Sequence, residues 1–414
     1  MTQRTESSRR HALGPGIILA AAAVGASHLV ASTQAGALFG WQLWWVIVLV
    51  NVLKYPFFRF AVTYTLESKQ NLIAGYYGEG KLYLWLFTVL NAIAAVVNTA
   101  GVLLLTASLL KLFIPELPLI ALCWLILLGC LLVILGGQYR MLDNLSKWIM
   151  ASLSLATVVA VIMAWGNAQP LPDDFVAPSP WQLSALAFLV AMMGWMPVPI
   201  ELSAINSLWL QSKQKLTRIS LKHGLFDFNL GYWVTAALAV VFLALGALVQ
   251  FGSDQPIALA GTQFAQQFVS MYGNTIGAWS EYLVGGIAFL CMFGTTLAVL
   301  DGYARTLKEC RSLLAPRAQD NKPQATTERL TWWVIGQSFA GMLVIIYFQS
   351  ALGPMLTFAM TLAFLTTPFF AWLNFKLARK NKMSTLMRLY GWLGLTYLIV
   401  FAMGYLYFLI FMGS

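Results

Sequence analysis

Charge is what this sequence has least of. Of its 414 residues only 10% are Asp, Glu, Lys or Arg, against about 25% in an average soluble domain. Histidine occurs three times and cysteine four times. Cys123, Cys130 and Cys291 lie in apolar stretches and Cys310 in a stretch read as a basic loop, with no CxxC pair and no disulfide framework. The marks of an enzyme are missing as well. There is no phosphate-binding P-loop, no H-E-x-x-H and no recognisable Ser-His-Asp set, so ATP-driven transport and hydrolysis are disfavoured and no cofactor is expected.

What fills the space is apolar: 59% of residues are hydrophobic and mean hydropathy is +0.74. The chain reads as an all-α, multi-pass membrane protein whose first partner is the lipid bilayer. A span needs roughly 20 apolar residues, and eleven segments qualify. They lie near 14–38, 43–66, 82–112, 117–136, 145–165, 183–209, 227–250, 277–304, 330–350, 353–376 and 388–412, numbered here 1 to 11. Arg9 and Arg10 before the first segment imitate a signal peptide, but the many segments behind it favour an uncleaved first helix.

Lysine and arginine set the expected orientation. The stretches with Lys213, Lys215, Arg218 and Lys222, with Arg305 to Lys322, and with Lys376 to Arg388 are basic. Those around 166–182, 251–276 and 350–353 hold no Lys or Arg and carry Asp173, Asp174 and Asp254. This alternation predicts an inner- or plasma-membrane protein with its N-terminus in the cytoplasm and its C-terminus outside. The net charge of +10 then reports topology and not nucleic-acid binding. The sequence sets no oligomeric state.

Segment 6 starts on the opposite side from segment 1. That offset predicts a tail at 1–13, a five-helix repeat at 14–165, an external loop at 166–182, a second, inverted repeat at 183–376 and an eleventh helix at 388–412. Inverted repeats of this kind place the substrate at breaks in corresponding helices. Segment 1 is interrupted by Gly25, Ala26, Ser27 and His28, and segment 6 by Gly194, Pro197 and Pro199, followed by Glu201. Two prolines two residues apart remove two backbone donors.

On these residues the chain resembles the NRAMP (natural resistance-associated macrophage protein) family of proton-coupled divalent-metal transporters. Gly14-Pro15-Gly16, eight residues, then Gly25-Ala26-Ser27-His28 and Phe39-Gly40-Trp41 parallel the family's G-P-G, D-P-G-N and F-G-Y/W. Met196-Pro197-Val198 parallels its M-P-H. The resemblance implies a LeuT-type five-plus-five fold with one extra helix, and a site between segments 1 and 6. The family's metal-binding Asp and Asn fall at Gly25 and His28, its Met at Met196, and its carbonyl donor at Met193. Acidic residues linked to proton movement fall at Asn98 and Gly101, a Gln of segment 10 at Met360, and the His of M-P-H at Val198. The usual carboxylate and most proton-carrying side chains are therefore absent from their places.

Two cargo classes stay open. His28 nitrogen, Met196 sulfur, Ser27 hydroxyl and free carbonyls would suit a softer divalent metal ion. Glu201 would add a negative charge, unless it pairs with Lys54, whose ammonium in segment 2 requires a partner. Glu201, Asp301 and Glu281 are the candidates for that partner, with Glu201 favoured. Asp301 is read as a gate or as a local pair with Arg305. Exposed amides at a broken helix would instead suit a small organic solute or anion, such as an amino acid. The expected substrate-binding residues are Gly25, Ala26, Ser27, His28, Met193, Met196 and Pro197. Lys54, Asn98, Glu201, Asp301 and Met360 are expected to support or gate them.

Overall fold

The computed structural model describes residues 16, 20, 23–136, 139–167, 171–216, 219–253, 255–315, 330–348, 352–380 and 383–412. The tail 1–13, the Gly14-Pro15 pair, Arg218, Asp254 and the run through Lys322 lie outside them. Among the described residues the regular structure is entirely helical. Backbone groups in lipid find partners only within a helix or a closed barrel. Among the described residues eight helices are long and apolar enough to cross a membrane, and Leu119–Leu135 and Leu183–Trp195 are shorter apolar helices. The first of the eight, Ser27–Ser68, covers the latter part of segment 1 and all of segment 2 and turns at Gly40–Leu43.

Segments 1 and 6 interrupt themselves differently, and the reason is local. Segment 6 opens: its first half, Leu186–Trp195, stops, Met196 to Glu201 are irregular, and Leu202–Leu216 resumes as helix. Pro197 and Pro199 have no N–H to give, so the ladder has to part there. Segment 1 has no proline at its break. It makes a turn at Val24–Gly25, then winds as a π-helix over Ser27–Ser32 before Thr33–Phe39 continues as α-helix. A turn at Val24–Gly25 followed by a widened winding from Ser27 stands where the sequence predicts the break at Gly25–His28.

Two further expectations change. The helix of segment 8 runs Trp279–Leu314, so Cys310 is not in a loop but buried on a helix. Tyr303, Thr306, Leu307 and Cys310 share its inner face while Arg305 and Arg311 are exposed, the spacing of an amphipathic helix. The stretch 251–276, read as loop, contains the helix Gly261–Ile276, which buries Phe264, Ala265, Phe268, Val269 and Tyr272.

Segment 8 packs along Lys81–Leu110 of segment 3, the first half of segment 6 along Leu352–Ala378 of segment 10, and Thr33–Phe39 along Leu221–Val249 of segment 7. These contacts gather the two interruptions in the middle of the bundle. Trp44, Trp45, Trp181 and Trp332 remain exposed, as interfacial anchors do. At one end a short helix, Leu72–Glu79, bridges to the far side of segment 10. Its Glu79 pairs with Lys376 at 3.1 Å and also with Lys380.

Candidate functional site at the paired helix breaks

The interruptions touch. Ser27 Oγ lies 3.0 Å from the carbonyl of Pro197, joining segment 1 to the opening in segment 6, and its one proton is shared between that carbonyl and the Ala23 carbonyl at 2.5 Å. Ser32 Oγ, one turn further, donates to Met196 Sδ at 3.8 Å. Ser27 and Ser32 of segment 1 thus meet Pro197 and Met196 of segment 6, while Gly25 lies against Thr295 and the His28 ring against Thr235 and Phe242; Gly25, Ala26, Ser27, His28, Met193, Met196 and Pro197 are all buried.

Lys54 lies at the centre of this arrangement. Its ammonium is 0% exposed and donates to the carbonyls of Met193 at 2.6 Å, Gly194 at 3.0 Å and Met196 at 2.8 Å. An ammonium has three donors, and all three are used. The prolines explain why these carbonyls are open. Met193 is the residue whose carbonyl Pro197 would serve in a continuous helix, and proline carries no donor. A cation is also favoured at the C-terminal end of a half-helix, where carbonyls converge. Lys54 thus caps the first half of segment 6. The favoured Lys54–Glu201 ion pair does not form as a contact, because backbone carbonyls satisfy the ammonium; the two charges interact only at longer range.

Glu201 is 1% exposed, and its Oε1 accepts from the Tyr303 hydroxyl at 3.2 Å. Tyr303 in turn accepts from Asn98 Nδ2 at 3.0 Å. Segments 3, 6 and 8 are tied by this chain, while Glu201 Oε2 has no hydrogen-bond partner among the described residues. The other candidate partners of Lys54 are engaged elsewhere or distant: Asp301 Oδ2 accepts from Arg305 Nε at 2.6 Å, a local i,i+4 pair, and Glu281 lies against Gly273.

The donors proposed for a metal ion are in use. His28 Nδ1 sits 2.8 Å from the Ala23 carbonyl and Nε2 2.8 Å from the Thr235 carbonyl of segment 7, with the ring edge-on to Phe242. Neither ring nitrogen faces open space. Met196 sulfur takes Ser32, and Met193 sulfur takes the Tyr397 hydroxyl of segment 11 at 2.9 Å. Among the described residues no group of three His, Cys, Asp or Glu side chains converges as a metal site would.

Two close approaches fix the geometry. A Cβ on Gly25 would lie 2.4 Å from Thr295 Oγ1 of segment 8. A Cβ on Gly194 would lie 2.0 Å from the Met360 carbonyl, so Met360 contributes its backbone at the place where a glutamine side chain was the family's expectation. Sequence reasoning missed Thr295, Thr235, Ser32 and Tyr397. Each is a common polar residue inside an apolar run, and only the packing of distant segments gives it a role.

The fold and the paired breaks are those of a membrane transport protein. The family model described as natural resistance-associated macrophage protein-like matches residues 16–411, and the chain belongs to that family. An uncharacterized protein of Pasteurella multocida (strain Pm70) is 48% identical over 390 residues, covering 92% of this chain and 89% of its own. Among solved structures, an Eremococcus coleocola manganese transporter, as its H236A mutant, matches with a TM-score of 0.69 at 14% identity, over 94% of this chain and 84% of that one. Mhp1, a nucleobase-cation-symport-1 family transporter solved with bromovinylhydantoin bound, matches with a TM-score of 0.60 at 14% identity, over 98% and 93%.

Proposed function

We propose that this family member is a secondary-active transporter that works by alternating access around the breaks of segments 1 and 6. The reading includes eleven spans, a five-plus-five inverted repeat, a cytoplasmic N-terminus and an external C-terminus. The observation that carries it is the contact between the two interruptions, Ser27 to Pro197, inside a bundle of this family.

Two cargo readings have support. The family frame and the manganese transporters among its structural neighbours support a divalent metal ion. The contents of the site favour the second reading, a small organic solute or anion. Lys54 already holds three carbonyls, and both His28 nitrogens and the Met196 sulfur are engaged within the protein. The neighbour bound to a hydantoin supports an organic cargo on the same frame.

Flux into proteoliposomes separates these readings. Mn²⁺, Fe²⁺, Co²⁺, Zn²⁺ and Mg²⁺ are tested beside small carboxylates and amino acids, under proton and sodium gradients. Saturable metal flux that falls in His28→Ala supports the metal reading. Saturable uptake of an organic solute with no metal flux supports the other. No flux of either class in protein that is folded and correctly inserted counts against a transport site at these breaks.

A further inference from the structure

We infer that Lys54 is a tethered cation: it fills the carbonyl cage at the break of segment 6 and thereby closes that cage to free metal ions. Within the transport site just proposed, on which this rests, Lys54 is the residue that decides which charge is admitted.

Three observations carry this. First, the cage is made of backbone oxygens, Met193, Gly194 and Met196, at 2.6 to 3.0 Å from one nitrogen. Backbone carbonyls are hard neutral donors that suit cations. They stand exposed because the helix opens at Pro197 and Pro199, so something positive has to meet them. Second, the ion that meets them is covalently held and comes from a different helix, Trp44–Ser68. It is wholly buried, and its hydrogen bonds go to carbonyls and not to a carboxylate. Third, the neighbouring face is closed by packing. The spot on Gly25 from which a ligating side chain would project is taken by Thr295. A bare dication arriving here would meet the ammonium charge at the carbonyls and, at Gly25, no side-chain ligand.

A cap for a half-helix and a selectivity element are the same contact, and they differ in the effect of its removal. The test uses the purified full-length chain in detergent or nanodiscs, monitored by thermal unfolding and calorimetry. Wild type is expected to show no stabilisation by MnCl₂ or CoCl₂ over choline chloride of equal ionic strength. Lys54→Ala empties the cage and should melt lower in choline but recover on adding Mn²⁺, Na⁺ or ethylammonium. Lys54→Met fills the same space with an uncharged chain and should melt lower without recovering. A purely structural lysine would give two destabilised variants with no cation response, and that result overturns the proposal. So does a saturable Mn²⁺ or Co²⁺ isotherm in wild type, a measurement that stands even if Lys54→Ala fails to fold. Lys54→Arg, which keeps the charge, should resemble wild type in its indifference to metal.

Failure here is distinguishable from failure of the transport reading. Alternating access is read separately, from solvent access at Ser27→Cys from the two sides of the membrane, in a chain whose own four cysteines are buried. Loss of that alternation counts against the transporter. Its persistence together with wild-type metal binding counts only against Lys54.

Discussion

At the scale of single residues, Gly25 shows what a loss in the sequence becomes in three dimensions. The resemblance makes it the place of a missing carboxylate, and in the structure a side chain starting there would meet Thr295. Restoring the acid alone is therefore expected to fail. Gly25→Asp should lower stability by about 1–3 kcal/mol, the usual range for overpacking, because the new Cβ meets Thr295. The double change Gly25→Asp with Thr295→Ala should recover most of that loss. Thermal unfolding of the three variants checks it: equal loss in the single and double variants would show that Thr295 is not the obstacle. That Gly25 stands where the resemblance expects the family's Asp was readable in the sequence. Its partner was not, because Thr295 belongs to segment 8 and adjoins segment 1 only after folding.

At the scale of elements, the two interruptions were legible as positions but not as conformations. Paired prolines announced the opening of segment 6, since a residue without a donor breaks a ladder wherever it stands. Gly-Ala-Ser-His announced only weakness, and the outcome there, a π-helix, depends on what the surroundings accept. His28 reaches Thr235 and Ala23, and Ser27 reaches Pro197. The helix Gly261–Ile276 was legible in hindsight from its apolar spacing, and Leu72–Glu79 from its cap. Asn71 accepts from Ala74 N before Leu72–Glu79, a standard N-cap. The packing of segment 6 on segment 10 turns on one position. Gly194→Ala would place a methyl 2.0 Å from a backbone carbonyl, which cannot swing aside as a side chain can. Gly194→Ala should therefore cost more stability than Gly101→Ala, whose Cβ meets only side-chain atoms at 3.5 Å or beyond. Comparable unfolding temperatures for the two would contradict the close approach.

At the scale of the whole molecule, composition and the distribution of lysine and arginine made the membrane class readable before any helix was placed. The long-range ties across the bundle were not. The latch between Glu79 and Lys376 with Lys380 joins residues separated by most of the chain. Burial pushes the Glu79 carboxyl up, but hydrogen bonds from Lys380 and Lys376 outweigh it and hold the group below the usual carboxylate range. A carboxyl depressed in the folded state contributes stability that is present above its unfolded value, about 4.3, and is lost as pH falls through the lowered folded value. Wild type should therefore lose unfolding temperature more steeply than Glu79→Gln below about pH 4.3, and high salt should narrow the difference, since Lys380 is largely exposed. Parallel acid profiles would show that the latch contributes nothing.

The π-wound stretch Ser27–Ser32 has a mechanical consequence. Its backbone bonds reach one residue further than those of an α-helix, so it stores slack in the winding. Converting one such wide turn to α-geometry re-phases everything beyond it by a single residue, about 100° of rotation at 3.6 residues per turn. Thr33–Phe39 is the part that would rotate, and it is the part laid against segment 7. The same conversion would carry Thr33–Phe39 along the helix axis by one residue's rise, about 1.5 Å, so rotation and a small axial shift come coupled in segment 1.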